Sequence, residues 1–301
     1  MPVVAKRNLH EKITDGVIHG ILILLALLCL LPLVNVLAVS FSSRAAAEAG
    51  KIKLWPVDFT LNSYRFIVTR SEFLEAFWIT IQRVVIGTGI NMFLVVLMGY
   101  ALSKDSRKFR TRTVYSWFLF LTLLFNGGLI PTYMTVRFTG LIDKLWALIL
   151  PTGVQVFNVI LMLNFFRKLP SSLEDSAAID GAGHFTILFR IYLPLSTAAI
   201  ATLTLFCAVF HWNSWFDGMI YMNSPDRYPL QTYLRSMILR LQSILSNVGS
   251  ADSEQWQFVQ EVSDRTARSA QIFAGALPII LVYPFLQRYF VKGMVLGSVK
   301  G

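Results

Sequence analysis

Three carboxylates crowd one short stretch, Leu173–Pro194, which reads LEDSAAIDGAGHFTILFRIYLP. Glu174, Asp175 and Asp180 offer ionic partners to Arg or Lys across an interface, while Ser176, Ala177 and Ala178 are small enough for another protein to approach the backbone closely. Leu173 and Ala177, four apart, share one face of a helix. This is the chemistry of docking. Catalysis would need a nucleophile, a base or metal ligands brought together, and His19 and His211 are lone histidines within apolar runs.

Other chemistry is excluded by pattern. No G-x-x-x-x-G-K-[ST] run is present to cradle a triphosphate, and neither an H-E-x-x-H pair nor a G-x-S-x-G elbow occurs. Cys29 and Cys207 both fall in apolar segments, so neither a disulfide framework nor a Cys/His metal site is expected, and the chain needs no cofactor of its own. Amides and amphipathic aromatics are a different matter. Gln155, Asn158 and Asn164 on one apolar run, and Trp212, Asn213 and Trp215 on another, are the side chains a sugar path requires; Gln155 and Asn158, three apart, share a helical face. Hydrogen bonding between helices and an interfacial aromatic belt account for the same residues. Arg137, Arg227, Arg235 and Arg240 would suit an acidic solute, a docked protein or lipid headgroups, whereas Arg83 sits within an apolar run, where a structural role is expected, and Asp217 follows the polar-aromatic run His211–Trp215.

The elements that must position these groups follow from composition. Hydrophobic residues make up 55% of the 301, charged residues 15%, and mean hydropathy is +0.58, too apolar for a soluble domain of this length. A bilayer core needs roughly 20 apolar residues per helix. Six such segments can be laid out, at 17–41, 77–102, 114–135, 145–166, 191–222 and 270–291, which predicts an all-α polytopic membrane protein with one transmembrane domain over 1–301. Lys6, Arg7 and Lys12 precede the first; Lys104, Arg107, Lys108, Arg110 and Arg112 follow the second; Arg167, Lys168 and Arg190 flank the acidic loop. By the positive-inside rule these segments and both termini face the cytosol. The net charge of +10 is thereby explained by membrane anchoring, without a nucleic-acid partner.

Within the cytosolic loop 167–190, Pro170 and the S-x-x-E spacing of Ser171 and Glu174 predict a capped helix starting near Ser172. Gly181 and Gly183, around Ala182, supply a C-terminal turn, and a second helix begins near His184 and enters the membrane with a bend at Pro194. Gly127–Gly128 ahead of Pro131 is the strongest break within a span.

On these residues the chain resembles the membrane subunits of binding-protein-dependent ABC importers, whose loop reads E-A-A, three residues, G, nine residues, I-x-L-P. Asp175, Ser176 and Ala177 stand at E-A-A, and Gly181, Ile191, Leu193 and Pro194 follow in register; Asp175 shortens the acid by a methylene and Ser176 replaces an alanine. The run FNGGLIPTY (125–133), the pair Trp212–Asn213 and the ending from Tyr283 to Gly301 are similar to carbohydrate permeases related to the smaller maltose permease subunit, and among them to permeases for oligosaccharides such as alginate-type uronides.

The resemblance implies a six-helix type I importer fold in the bacterial inner membrane. It further implies a homologous second permease subunit, two ATPase subunits that bind ATP and Mg, and an extracytoplasmic solute-binding protein. The helix 173–180, with Gly181 and Ala182 closing it, would lie in a cleft of one ATPase, and Gly293, Gly297 and Lys300 of the tail would reach the ATPase interface. The rival reading is an ion-coupled secondary transporter of a small polar solute, which should show midplane carboxylates or broken helices in repeated halves.

Overall fold

A chain in hydrocarbon must satisfy its own backbone, and in a computed structural model, which describes residues 9–68, 71–246, 263 and 265–281, it does so through helices with no strand among them. These residues form two compact units, one built from 9–68 with 237–246, 263 and 265–275, the other from 71–236 with 276–281.

In the first unit, α1 (Leu9–Ser40) is apolar on every side and exposed along nearly all its length, as a helix lying against lipid or another subunit must be. Only its last turns are covered, where Ala38 and Val39 pack on Ala46 and Ala47 of α2 (Arg44–Glu48) and on Ile52. Ser43 caps α2 by accepting from the Ala46 N–H at 3.2 Å. A short α3 (Asn62–Val68) follows.

The second unit is organised around α4 (Ser71–Ser103), beside which run α5 (Arg112–Leu124), α6 (Leu129–Phe138), α7 (Val156–Arg167), α8 (Ser171–Ile179) and α9 (His184–Ile187). A π turn over Leu188–Tyr192 and α10 (Leu193–Leu195) lead from α9 into α11 (Thr197–Asn213), followed by α12 (Phe216–Tyr221). Val95, Tyr100 and Leu102 of α4 form the core with Val159, Met162 and Phe166 of α7 and Leu203 of α11. Small residues let these helices close up. A Cβ at Gly87 would stand 2.5 Å from Nε2 of His211, so any larger residue there would displace the His211 ring. Two further helices, α13 (Leu230–Ser246) and α14 (265–281), have residues in both units.

Two helices, Ile13–Ser40 and Ser71–Ser103, are long and apolar enough to cross a bilayer unbroken. The expected continuous spans 114–135, 145–166 and 191–222 are instead bent pairs, with angles of 113° between Arg112–Leu124 and Leu129–Phe138, 50° between Leu145–Thr152 and Val156–Arg167, and 85° between His184–Leu195 and Thr197–Asn213. Each break has a physical cause. Gly128 adopts φ +86°, which a helix cannot continue through. At the second, the Thr152 and Gly153 carbonyls freed by the break accept from Asn91 Nδ2 of α4, at 2.8 and 2.7 Å. At the third, Pro194 lacks an N–H and its ring crowds the preceding turn; the π turn ahead of it widens the helix, and the bend falls at Ser196, two residues after the proline. Counting each bent pair as one span gives up to five crossings, and the expected 270–291 segment runs past residue 281 outside the described residues.

Candidate coupling site

The acidic loop folds as helix, turn, helix. Pro170, at φ −60° and ψ 127°, starts α8, and no side chain caps it. The expected capping box does not form because Glu174 turns away from the helix start and beneath it. There its Oε2 accepts from Lys104 Nζ at 2.7 Å and from Tyr192 Oη at 2.8 Å, while Oε1 lies 3.3 Å from Lys108 Nζ. A capping bond contributes about 1 kcal/mol, and hydrogen bonds to charged groups contribute about 1.5–3. The ionic alternative wins.

Lys104 and Glu174 are each only 7% exposed, and Lys104 Nζ also lies over the rings of Tyr100 at 3.8 Å and Tyr192 at 4.3 Å. The ammonium is thus enclosed by a carboxylate and two aromatic faces. Burial opposes ionisation of Glu174, but the hydrogen bonds from Lys104 and Tyr192 and the Lys104 charge outweigh it and hold the carboxyl below the usual carboxylate range. Beside the clamp, the hydrogen bond to Asp175 Oδ1, at 3.1 Å, raises the ammonium pKa of the more exposed Lys108. One carboxylate therefore ties α8 to the end of α4 and to the π turn that enters α11.

The far end of α8 is closed by glycine. Gly181 sits at φ +81°, its N–H donates to the Ala178 carbonyl at 3.1 Å, and the Ala182 N–H donates to the Ala177 carbonyl at 2.9 Å, a complete Schellman closure around Asp180. Ala177 and Ala182 pack against the main core. What remains outward is Asp175, Ser176, Ala178 and Asp180 with partly exposed Leu173, and two side chains that sequence reasoning passed over: Ile179, 86% exposed, and Phe185, 72% exposed. Their signal was visible as apolar residues flanking the Asp-Gly-Ala-Gly turn. The result is an apolar and acidic ridge on a rigid base.

The amides and aromatics marked for a solute path do not share one environment. Asn158 is buried and spends its amide on Gln155 Oε1 at 2.5 Å and Cys207 Sγ of α11 at 3.3 Å, a contact between α7 and α11. Asn164 and Asn213 are exposed. Trp212 is buried edge-on against Phe77, and Trp215 lies beneath the Arg235 guanidinium at 5.3 Å. Gly293, Gly297 and Lys300 lie outside the described residues.

A second polar centre was not legible as a pair. Arg83, 0% exposed, forms an ion pair with Asp217 of α12 and reaches the Ser214 carbonyl at 3.4 Å. About two turns along α4, His211 Nε2 donates to Asn91 Oδ1 at 2.6 Å. These groups fix the junction of α11 and α12 onto α4.

No protein-family model matches the chain. It is 39% identical over 296 residues to the polygalacturonan/rhamnogalacturonan transport system permease protein YtcP of Bacillus subtilis (strain 168), across 97% of this chain and 100% of that one. It is also 39% identical over 272 residues to Protein LplC of the same organism, across 90% of each. Among solved structures, it superposes with a TM-score of 0.82 and 31% identity on a chain of a bacterial ABC transporter involved in import of the acidic polysaccharide alginate, across 95% of this chain and 100% of that chain. Identity of 39% to a transport-system permease over nearly the full length of both chains, together with the fold shared with a solved importer chain, places this chain in the family of membrane-spanning permease subunits of carbohydrate ABC importers.

Proposed function

We propose that the chain forms half the translocation pathway of an ATP-driven importer for acidic oligosaccharides of the uronide class, and that α8 takes its drive from an ATPase subunit. In this reading six spans cross the inner membrane with both termini in the cytosol, a homologous second permease supplies the other half, and an extracytoplasmic binding protein delivers the sugar. ATP and Mg are held by the two ATPase subunits. Gly293, Gly297 and Lys300 add a second, C-terminal contact to them.

The clamp carries the coupling reading. Glu174 bonds to Lys104 on one side and Tyr192 on the other, so a force on α8 is delivered at once to the end of α4 and to the π turn that leads into α11, a helix packed along α4. The outward ridge of Ile179 and Phe185 gives an ATPase surface something to hold. Closure of the ATPase dimer then favours one arrangement of the spans by its differential affinity for it. The names borne by the relatives supply the substrate class: galacturonan in one, alginate in another, both polyuronides.

Uptake by proteoliposomes holding the complete importer tests this. Oligogalacturonate should enter only with ATP inside the cell-equivalent compartment and with binding protein outside, and Asp175→Lys should lower uptake per ATP hydrolysed. Uptake driven by an ion gradient without ATP would instead identify a secondary carrier, and transport of neutral oligosaccharides alone would discard the uronide assignment.

A further inference from the structure

Between α5 and α7 lies a groove of about 350 Å³ whose walls are almost wholly apolar, formed by Leu102, Trp117, Phe120, Val159, Ile160 and Leu163. Arg112 and Ser116 line the same groove, four residues apart and therefore on one face of α5. Arg112 Nε and Ser116 Oγ are both buried, and among the described residues neither has a hydrogen-bond partner. Two unpartnered polar atoms in one apolar groove require explanation, because each forfeits its hydration for nothing. Arg112 is not short of opportunity elsewhere: its Nη1 donates to the Lys104 carbonyl at 3.0 Å. Among the described residues no carboxylate pairs with it, and the Arg167 guanidinium at the end of α7 feels its charge.

The missing partner must join an anionic, oxygen-rich head to a long apolar body. A free sugar acid fits the cation but would leave its hydroxyls unpaired against Trp117, Phe120 and Leu163. We propose that the groove is a site for an anionic phospholipid: a phosphate oxygen accepts from Arg112 Nε and Ser116 Oγ, and an acyl chain lies along the apolar wall between α5 and α7. Basic pockets between membrane helices at the cytosolic surface favour such headgroups. The site also touches the coupling clamp, since the same Arg112 holds the carbonyl of Lys104, whose ammonium holds Glu174. Occupancy steadies that end of α4. The inference rests on the proposed membrane placement, with the Arg112 end of α5 at the cytosolic side and α5 and α7 facing lipid, and stands apart from the choice of sugar.

The assembled importer, purified in detergent, is supplied with phosphatidylglycerol or phosphatidylcholine of identical chains, and retained lipid is counted by native mass spectrometry. Both lipids offer the phosphate oxygen, but only phosphatidylcholine brings a choline cation beside the Arg112 and Arg167 charges, so the wild type should hold phosphatidylglycerol with a preference of about tenfold or more. The double variant Arg112→Met/Ser116→Ala should lose that preference, while Arg137→Met on α6 keeps it. Equal retention of both lipids, a preference untouched by the double variant, or full displacement by inorganic phosphate would overturn the proposal. Should the double variant fail to assemble, a density map of the wild-type importer in phosphatidylglycerol nanodiscs decides: a lipid with its head at Arg112 supports the site, and an empty groove or one filled by a helix of the second permease refutes it.

Discussion

Two ion pairs of the α4 bundle, each with a buried cation among the described residues, are built from the same chemistry and serve opposite ends. Arg83 and Asp217 lock the α11–α12 junction to α4, and the residues around them turn inward: His211 to Asn91, Trp212 to Phe77, the Leu230 N–H to Thr80 Oγ1 at 2.7 Å. Lys104 and Glu174 also lock an element, α8, to α4, but its outer face, acidic and apolar, is left uncovered, with Ile179 and, on the following α9, Phe185 outermost. A polar centre surrounded by inward contacts maintains a joint. One that stiffens an exposed ridge transmits force through it.

Breaking each pair should separate the roles. Arg83→Ala leaves the Asp217 carboxylate without its cation and should destabilise the bundle by up to about 3 kcal/mol, the low end for a buried pair because Asp217 is 21% exposed, seen as lost assembly or a lowered unfolding temperature in detergent. Replacing both partners, Arg83→Met with Asp217→Leu, should recover much of this, since paired apolar residues avoid the desolvation cost. Glu174→Ala strands a buried Lys104 and should cost a comparable amount locally. Its signature differs: the complex still forms, but ATP hydrolysis proceeds with little import. Equal loss of assembly in both variants would erase the distinction drawn between the two regions.

Smaller effects sharpen it. Gly181→Ala forces a side chain into φ +81° and should weaken the α8 turn by about 1–2 kcal/mol, reducing coupling efficiency without touching Glu174. Asp175→Ala removes only an exposed ion pair and should change stability by less than about 1 kcal/mol. The clamp also has a pH signature. Because the folded state holds the Glu174 carboxyl below its unfolded value, its contribution is full above the ordinary carboxylate range and is lost as pH falls through the depressed folded value. Coupling should therefore be constant from neutral pH into mild acid, and hydrogen exchange in α8 should accelerate only at lower pH in the wild type.

Much of the loop was readable because its determinants are local. Proline, a run of small residues and Asp-Gly set the helix and its Schellman turn within a dozen positions, and Gly181 takes the left-handed conformation that the turn needs. Partners distant in sequence were not readable. Nothing near Ser171 says that Glu174 will forsake the cap for Lys104, seventy positions earlier, and nothing near Arg83 points to Asp217. The span interruptions had the same limit: Gly127–Gly128 announces its break, whereas the interruption after Thr152 depends on Asn91 of another helix to receive the freed carbonyls. Asn158, marked as a solute contact from its spacing, is taken up by Gln155 and Cys207 because α11 passes beside it.

The account rests on α8 meeting an ATPase subunit through its outer ridge. Cysteine placed at Ile179, the most exposed apolar side chain of that helix, and treated with a short bifunctional thiol reagent in the assembled importer, tests this most directly. Cross-linking to the ATPase, with an efficiency that changes between nucleotide-free and ATP-bound states, is the predicted result. A complex that imports sugar normally while position 179 cross-links to no ATPase subunit in either state would contradict it.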